Sequence, residues 1–239
     1  MAGWSDLGNP VGSKSNREGQ VFLNSQTWAI LTGLATDKRK EQCLKAIDER
    51  LESTHGSLTM SPYYSGADEN VGRVTMLLPG MYENGTPYCH GTAFKIVSDI
   101  IAGRPQNALR SWKKVMPDNS GHPSIVSGCE PYAFTNQYLG PGNARRGDSI
   151  SGWITGTAGW MFRAVLEYFC GIKPGYHGFT VQPCLPVEWD LVTVHRVLRG
   201  KPYDIRIERK QEGYQIAVNG AAYSGGVLLY NSTPSGKVS

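Results

Sequence analysis

Pro79-Gly-Met-Tyr-Glu-Asn-Gly-Thr-Pro-Tyr-Cys-His90 gathers a carboxylate, an imidazole and several turn-forming residues into one short stretch. Pro79-Gly80 and Asn84-Gly85 are turn signals, because glycine accepts positive φ and proline presets the preceding bend. Glu83 and His90 are therefore expected on irregular backbone at the mouth of a helix, not on a packed helical face. Loops held on a rigid scaffold commonly carry function.

A second segment of this kind, Trp153-Ile-Thr-Gly-Thr-Ala-Gly-Trp160, opens the apolar run from Met161 to Phe169. It reads as a helix start, where the hydroxyls of Thr155 and Thr157 and the first backbone N–H groups face the positive end of the helix dipole. That environment suits a phosphate or sulfate, and a nearby His90 would complete the anion site.

Working outward, apolar residues at helical spacing predict helices over about 25–35, 38–51, 91–102, 105–115, 132–139 and 157–170. Asp37 is the expected N-cap of the second and Pro105 suits the first turn of the fourth. From Phe179 the texture changes to short runs such as Val192–Val197, Tyr203–Ile207, Tyr214–Val218 and Gly226–Tyr230, separated by turn residues, which predict antiparallel strands. The expected fold class is mainly α with a C-terminal β segment, divided at 1–177 and 178–239.

The chain has 239 residues and 40% hydrophobic content, enough for a real core. Twenty-four basic and 20 acidic side chains leave a net charge of +4 without a long basic run, which gives nucleic-acid binding little support. No stretch approaches the roughly 20 apolar residues that span a bilayer. No signal-peptide pattern opens the chain, so a soluble, cytoplasmic protein is expected. The five cysteines, Cys43, Cys89, Cys129, Cys170 and Cys184, are widely spaced without a Cys-x-x-Cys pair and read as reduced thiols. Asn84-Gly-Thr86 and Asn231-Ser-Thr233 match the glycosylation acceptor pattern but are discounted for want of a secretory signal.

Further stretches run in one order along the chain: Val11-Gly-Ser-Lys-Ser-Asn-Arg-Glu-Gly-Gln20, Asn24-Ser-Gln-Thr-Trp28, Val71-Gly-Arg-Val74, Cys129-Glu-Pro-Tyr132, Gly171-Ile-Lys-Pro-Gly-Tyr176 and Pro183-Cys-Leu-Pro-Val-Glu-Trp189. With the two loop segments, the chain resembles the inverting β-glycoside phosphorylases, the family of cellobiose, cellodextrin and N,N'-diacetylchitobiose phosphorylases. The resemblance covers about residues 8 to 210. It implies the C-terminal half of an (α/α)6 barrel followed by a small antiparallel β region.

The resemblance also implies roles. His90, Thr155 and Gly156 match phosphate-binding positions, Glu83 a sugar-contacting glutamate, and Asn136 a position where several relatives carry glutamine. Tyr82 stands where disaccharide-specific relatives carry lysine. The general-acid aspartate of the family belongs to an Asp-Trp-Asn-Asp-like motif that this sequence lacks, so no catalytic residue is assigned. Each position also has a plainer reading: His90 packed under its loop, Thr155 as a helix cap, and Glu83 as a cap of a neighbouring helix.

The implied activity is phosphorolysis of a β-glucoside, cellobiose or a cellodextrin, to α-glucose 1-phosphate, with no metal or organic cofactor and inorganic phosphate as co-substrate. The expected partners are the oligosaccharide and phosphate, with no nucleic acid or membrane. The resemblance adds homodimeric relatives and a possible need for an N-terminal half. The alternatives are an inactive fragment that keeps a phosphate or sugar site, and a β-1,2-oligoglucan phosphorylase.

Overall fold

The computed structural model describes residues 3–117 and 119–230. The Asn231–Thr233 pattern lies outside them. The chain divides into two compact units, residues 1–161 and 162–239.

In the first unit, α1 (Leu23–Leu31), α2 (Asp37–Arg50), α3 (Cys89–Ile101) and α4 (Pro105–Val115) form the helical body. α3 is buried along almost its whole length and packs against α1 and α4. Leu23, Ile47, Leu51 and Leu58 close one core cluster. Thr36, not Asp37, caps α2: its backbone is extended and its side chain accepts from the Arg39 N–H. Asp37 instead occupies the first helical position, where its charge suits the dipole and pairs with Lys40 at 2.7 Å.

The expected helix over 132–139 is absent. Thr135–Tyr138 is a strand, paired antiparallel with Ser149–Gly152. Thr135, Gln137 and Tyr138 are buried, and the threonine and tyrosine favour a pleated surface. A short helix, α5 (Ser124–Ser127), lies where only loop was expected. Short antiparallel pairs also organise the stretch before α3, joining Val21–Phe22 to Met60–Ser61 and Glu52–Ser53 to Gly56–Ser57.

In the second unit, the end of α6 (Thr157–Arg163) continues into a π-helical stretch, Ala164–Phe169. Gly178–Val181 is the central strand of a sheet with Ile172–Pro174 and Leu228–Leu229. A second sheet is a meander of Leu191–Leu198, Lys201–Arg209, Tyr214–Val218 and Ala221–Ala222. In its longest strand Tyr203, Ile205 and Ile207 are buried while Asp204 and Arg206 are exposed, the pattern of a half-covered antiparallel sheet. Its turns, Arg199-Gly200 and Asn219-Gly220, put two residues at positive φ in succession, as two-residue hairpins matching strand twist require.

The mainly α expectation does not hold: the structure is 30% helix and 26% strand, the latter spread over many small sheets. Helical periodicity was read correctly where apolar faces are long. Two-residue pairings carry no periodic signal, and the run at Thr135–Tyr138 is too short to outvote its neighbours. All five cysteines are free, and among the described residues no helix is long and apolar enough to cross a membrane.

α3 buries charge as well as apolar surface. The Lys95 Nζ lies 2.8 Å from Asp99 Oδ2 and 3.5 Å from Glu52, and donates to Ser111 Oγ at 2.8 Å. Arg104 approaches Asp99 at 3.3 Å from the far end of the helix. Burial pushes the Asp99 carboxyl above its ordinary range despite these cations. Removing one partner of a buried pair strands the other charge. Asp99→Ala is therefore expected to cost about 3–5 kcal/mol of stability, read from urea unfolding; a loss below about 1 kcal/mol would show that Lys95 is satisfied without it.

Candidate functional site

The loop from Pro79 to Tyr88 is held by a side chain that the sequence showed only as half of a turn dipeptide. Asn84 is fully buried, and its amide makes three hydrogen bonds: it accepts from Tyr64 N (2.7 Å) and donates to Tyr64 O (2.9 Å) and Leu77 O (2.8 Å). Its backbone carbonyl accepts from Gly80 N at 2.8 Å. The carbonyl of Gly80, at φ 70°, accepts in turn from Gly140 N at 2.7 Å; a Cβ on Gly80 would stand 2.6 Å from the Gly140 carbonyl oxygen. The loop is thus clamped on both sides while Tyr82 and Glu83 stay exposed at its tip.

Tyr82 and Glu83 form one wall of a cavity of about 530 Å³. Asn24, Thr59, Tyr88 and Asn136 contribute to the rest. Two sequence-derived sugar candidates, Glu83 and Asn136, therefore meet in one opening. Thr59 supports the tip by donating its hydroxyl to the Glu83 carbonyl at 2.9 Å.

Asn136 links this cavity to the second loop. Its Oδ1 accepts from the Thr155 hydroxyl at 3.0 Å, and Thr155 Oγ1 accepts from Thr157 N at 3.1 Å at the start of α6. Because the Thr155 proton is committed to Asn136, Thr157 is the donor in the 2.6 Å contact between the two hydroxyls. Gly156 then lies directly against His90: a Cβ on Gly156 would stand 2.7 Å from His90 Cε1 and 3.0 Å from its Nε2. Only glycine fits there.

His90 occupies the first turn of α3. Its Nδ1 lies 3.3 Å from the Tyr88 hydroxyl, and its ring sits 4.9 Å from that of Phe94. Nε2 is shielded from solvent and has no hydrogen-bond partner in the protein. Burial holds the imidazole below its ordinary pKa, hence neutral at pH 7. His90, Gly156, Thr155 and Asn136 are thus contiguous, with Tyr88 joining both ends to the cavity.

Backbone strain marks the same two loops. Among the described residues, five other than glycine adopt positive φ: Tyr82, Ser151, Trp153, Arg199 and Asn219. The last two are explained by hairpins. Tyr82 at 50°, Ser151 at 60° and Trp153 at 68° are not, and they flank Glu83 and Thr155. Such strain persists where surrounding structure enforces it, often at functional sites.

Other charged and aromatic residues of these loops fall elsewhere. Arg145 pairs with Asp148 at 2.6 Å in an exposed loop, and Arg146 lines a different cavity. Trp160 packs edge-on against Phe94 and Trp28. Trp153 is largely exposed beside Tyr132, and Glu130 is solvent-exposed. Among the described residues no group of three or more His, Cys, Asp or Glu side chains is placed to hold a metal ion. Asn84 and Tyr88 are the contributors that sequence reading missed. The Asn-Gly pair signalled a turn but not the direction of the Asn84 amide.

A family model described as the glycosyl hydrolase 94 superfamily, catalytic domain, matches residues 1–171. The chain belongs to that family. A solabiose phosphorylase of Paenibacillus borealis is 50% identical over 88% of this chain and 27% of its own length. A 3-O-beta-D-glucopyranosyl-beta-D-glucuronide phosphorylase of the same organism is 36% identical over 97% of this chain and 31% of its own. An N,N'-diacetylchitobiose phosphorylase of Vibrio proteolyticus is 32% identical over 94% and 29%. The chain thus spans about a third or less of these relatives, and the resemblance to β-glycoside phosphorylases stands. A solved structure titled sialidase superposes with a TM-score of 0.58 at 12% identity, over 92% of this chain and 21% of its own. That likeness concerns the fold alone and accompanies the correction away from a mainly α chain.

Asn84→Ala would leave the Tyr64 N–H and the Tyr64 and Leu77 carbonyls without their partner. An expected loss of about 2–3 kcal/mol in unfolding free energy follows. The loop tip should also become more susceptible to proteolysis, and a variant as stable and as resistant as the parent would show that Asn84 does not hold the loop.

Proposed function

We propose that this chain supplies the phosphate- and sugar-holding part of a phosphorylase that cleaves a β-glucoside with inorganic phosphate and inversion at the anomeric carbon. The observation that carries the reading is the contact between His90 and Gly156, beside Thr155 and one hydrogen bond from the Asn136 and Glu83 cavity. Membership of the glycosyl hydrolase 94 family supports it.

On this reading phosphate lies against His90, the Gly156 N–H and the Thr155 hydroxyl, which turns its one proton from Asn136 to the anion. His90 offers Nε2, whose present lack of a partner an anion would remedy. Gly156 lies over that nitrogen, so the ring or the Trp153–Thr157 turn shifts slightly as the anion enters. The start of α6 adds favourable dipole. Phosphate oxygen attacks the anomeric carbon from the face opposite the leaving group. The new C–O bond forms as the glycosidic C–O bond breaks, and the leaving oxygen takes a proton from a carboxylic acid. The products are α-glucose 1-phosphate and the shortened sugar. Positioning the anion in line is the main contribution asked of these residues.

Glu83, an acceptor-only carboxylate, and Asn136 would hold sugar hydroxyls. The acid is not assigned to this chain and is expected from residues outside it. Cellobiose and cellodextrins remain candidate substrates, but the relative sharing half its aligned residues is named a solabiose phosphorylase, which puts solabiose first among the disaccharides to test.

The test is release of a sugar 1-phosphate from solabiose, cellobiose and cellotetraose by the chain, alone and co-expressed with the N-terminal portion of a glycosyl hydrolase 94 relative. Activity is expected only in the assembled protein. There His90→Ala should lower kcat/KM for phosphate about 100-fold or more. Gly156→Ala, whose methyl would stand 2.7 Å from His90 Cε1, should raise KM for phosphate more than KM for sugar. Undiminished phosphate dependence in both variants would overturn the assignment.

A further inference from the structure

A second cavity, of about 670 Å³, shares no lining residue with the first. Thr54, His55, Lys113, Lys114, Asn119 and Arg146 line it, converging from the hairpin before α3, the end of α4 and two later loops. We infer that it is a binding site for a small phosphate ester, held chiefly by Lys113 and Arg146.

Charge supports the inference. Lys114 is already committed to Glu52 at 2.5 Å. Among the described residues neither Lys113 nor Arg146 has a carboxylate partner, which leaves two positive charges facing one opening. A phosphate monoester carries about −1.5 to −2 near pH 7. Lysines in the last turn of a helix are also what its dipole favours, and that alone would account for Lys113 and Lys114. It does not account for Arg146 and His55, which arrive from other segments.

The floor is built. His55 and His122 stack with ring centroids 4.1 Å apart, and His122 Nε2 donates to the Gly147 carbonyl at 2.7 Å. Gly147, at φ 96°, seats its loop on this pair: a Cβ there would stand 3.2 Å from His55 Nε2 and 3.3 Å from His122 Cε1. The loop carrying Arg146 is thereby pinned beside the cavity. Asn119 fixes the facing loop, donating to the Lys114 carbonyl at 3.1 Å and accepting from Gly121 N at 2.9 Å. The volume far exceeds an orthophosphate ion, so the ligand carries a body beyond its phosphate, set against the aliphatic stems of these long side chains.

His55 supplies a local reporter. Burial first, then the positive charges of His122 and Arg146, hold its pKa down at about 4. An anion beside Arg146 offsets part of that charge. The test is NMR titration of the histidine Cε1 protons in the whole chain with glycerol 3-phosphate, with orthophosphate, glycerol and sodium chloride at matched ionic strength as separate arms. Glycerol 3-phosphate is expected to raise the His55 midpoint saturably by about one unit, in the parent and in His90→Ala. Lys113→Ala combined with Arg146→Ala, both exposed and so tolerated by the fold, should weaken that binding tenfold or more without changing the melting temperature. A His55 midpoint identical in glycerol 3-phosphate and in chloride would overturn the site, as would a double variant that binds like the parent. Equal affinity for orthophosphate would overturn the assignment to an ester.

Discussion

The proposed phosphorylase site hangs on the approach of the Gly156 backbone to the His90 imidazole, two groups far apart in sequence. No side chain can intervene there: even a methyl would overlap the ring. The approach is enforced from both sides. Thr155 is tied to Asn136 and to the first turn of α6, and His90 is fixed at the start of a helix that is buried almost throughout. A half-buried imidazole with a shielded, unpartnered nitrogen is an unfavourable element of a free protein. It becomes intelligible if an anion is meant to complete it.

The rigidity of α3 rests on an unusual cost. Its interior holds Lys95 and Asp99, with Glu52 and Arg104 drawn in from neighbouring segments. Such a network adds little net stability compared with apolar packing, but it tolerates few other arrangements once formed. α3 carries His90 at one end and meets Arg104 just past the other, so the network fixes the register of the helix that presents the imidazole. The tip bearing Glu83 is fixed differently, by the buried amide of Asn84.

Much of this was legible in the amino-acid sequence. Pro79-Gly80 and Asn84-Gly85 announced the turns, long apolar faces announced α2, α3 and α4, and Pro105 marked the start of α4. Alternation in Tyr203–Ile207 and Tyr214–Val218 announced the meander. The mainly helical fold class failed because Thr135–Tyr138 is too short for its strand-favouring residues to stand out, and because two-residue pairings leave no periodic trace. Thr36 displaced Asp37 as the α2 cap because an extended residue just before the helix decides the cap, and both residue types serve. The cavity at His55 was not legible at all, since its cations come from segments that only the folded chain brings together.

A crystal structure of the chain soaked in phosphate tests the central claim most directly. The account predicts a phosphate ion with oxygens about 3 Å from His90 Nε2, Thr155 Oγ1 and the Gly156 N–H together. A structure in which phosphate binds elsewhere while His90 Nε2 stays unpartnered beneath Gly156 would contradict it.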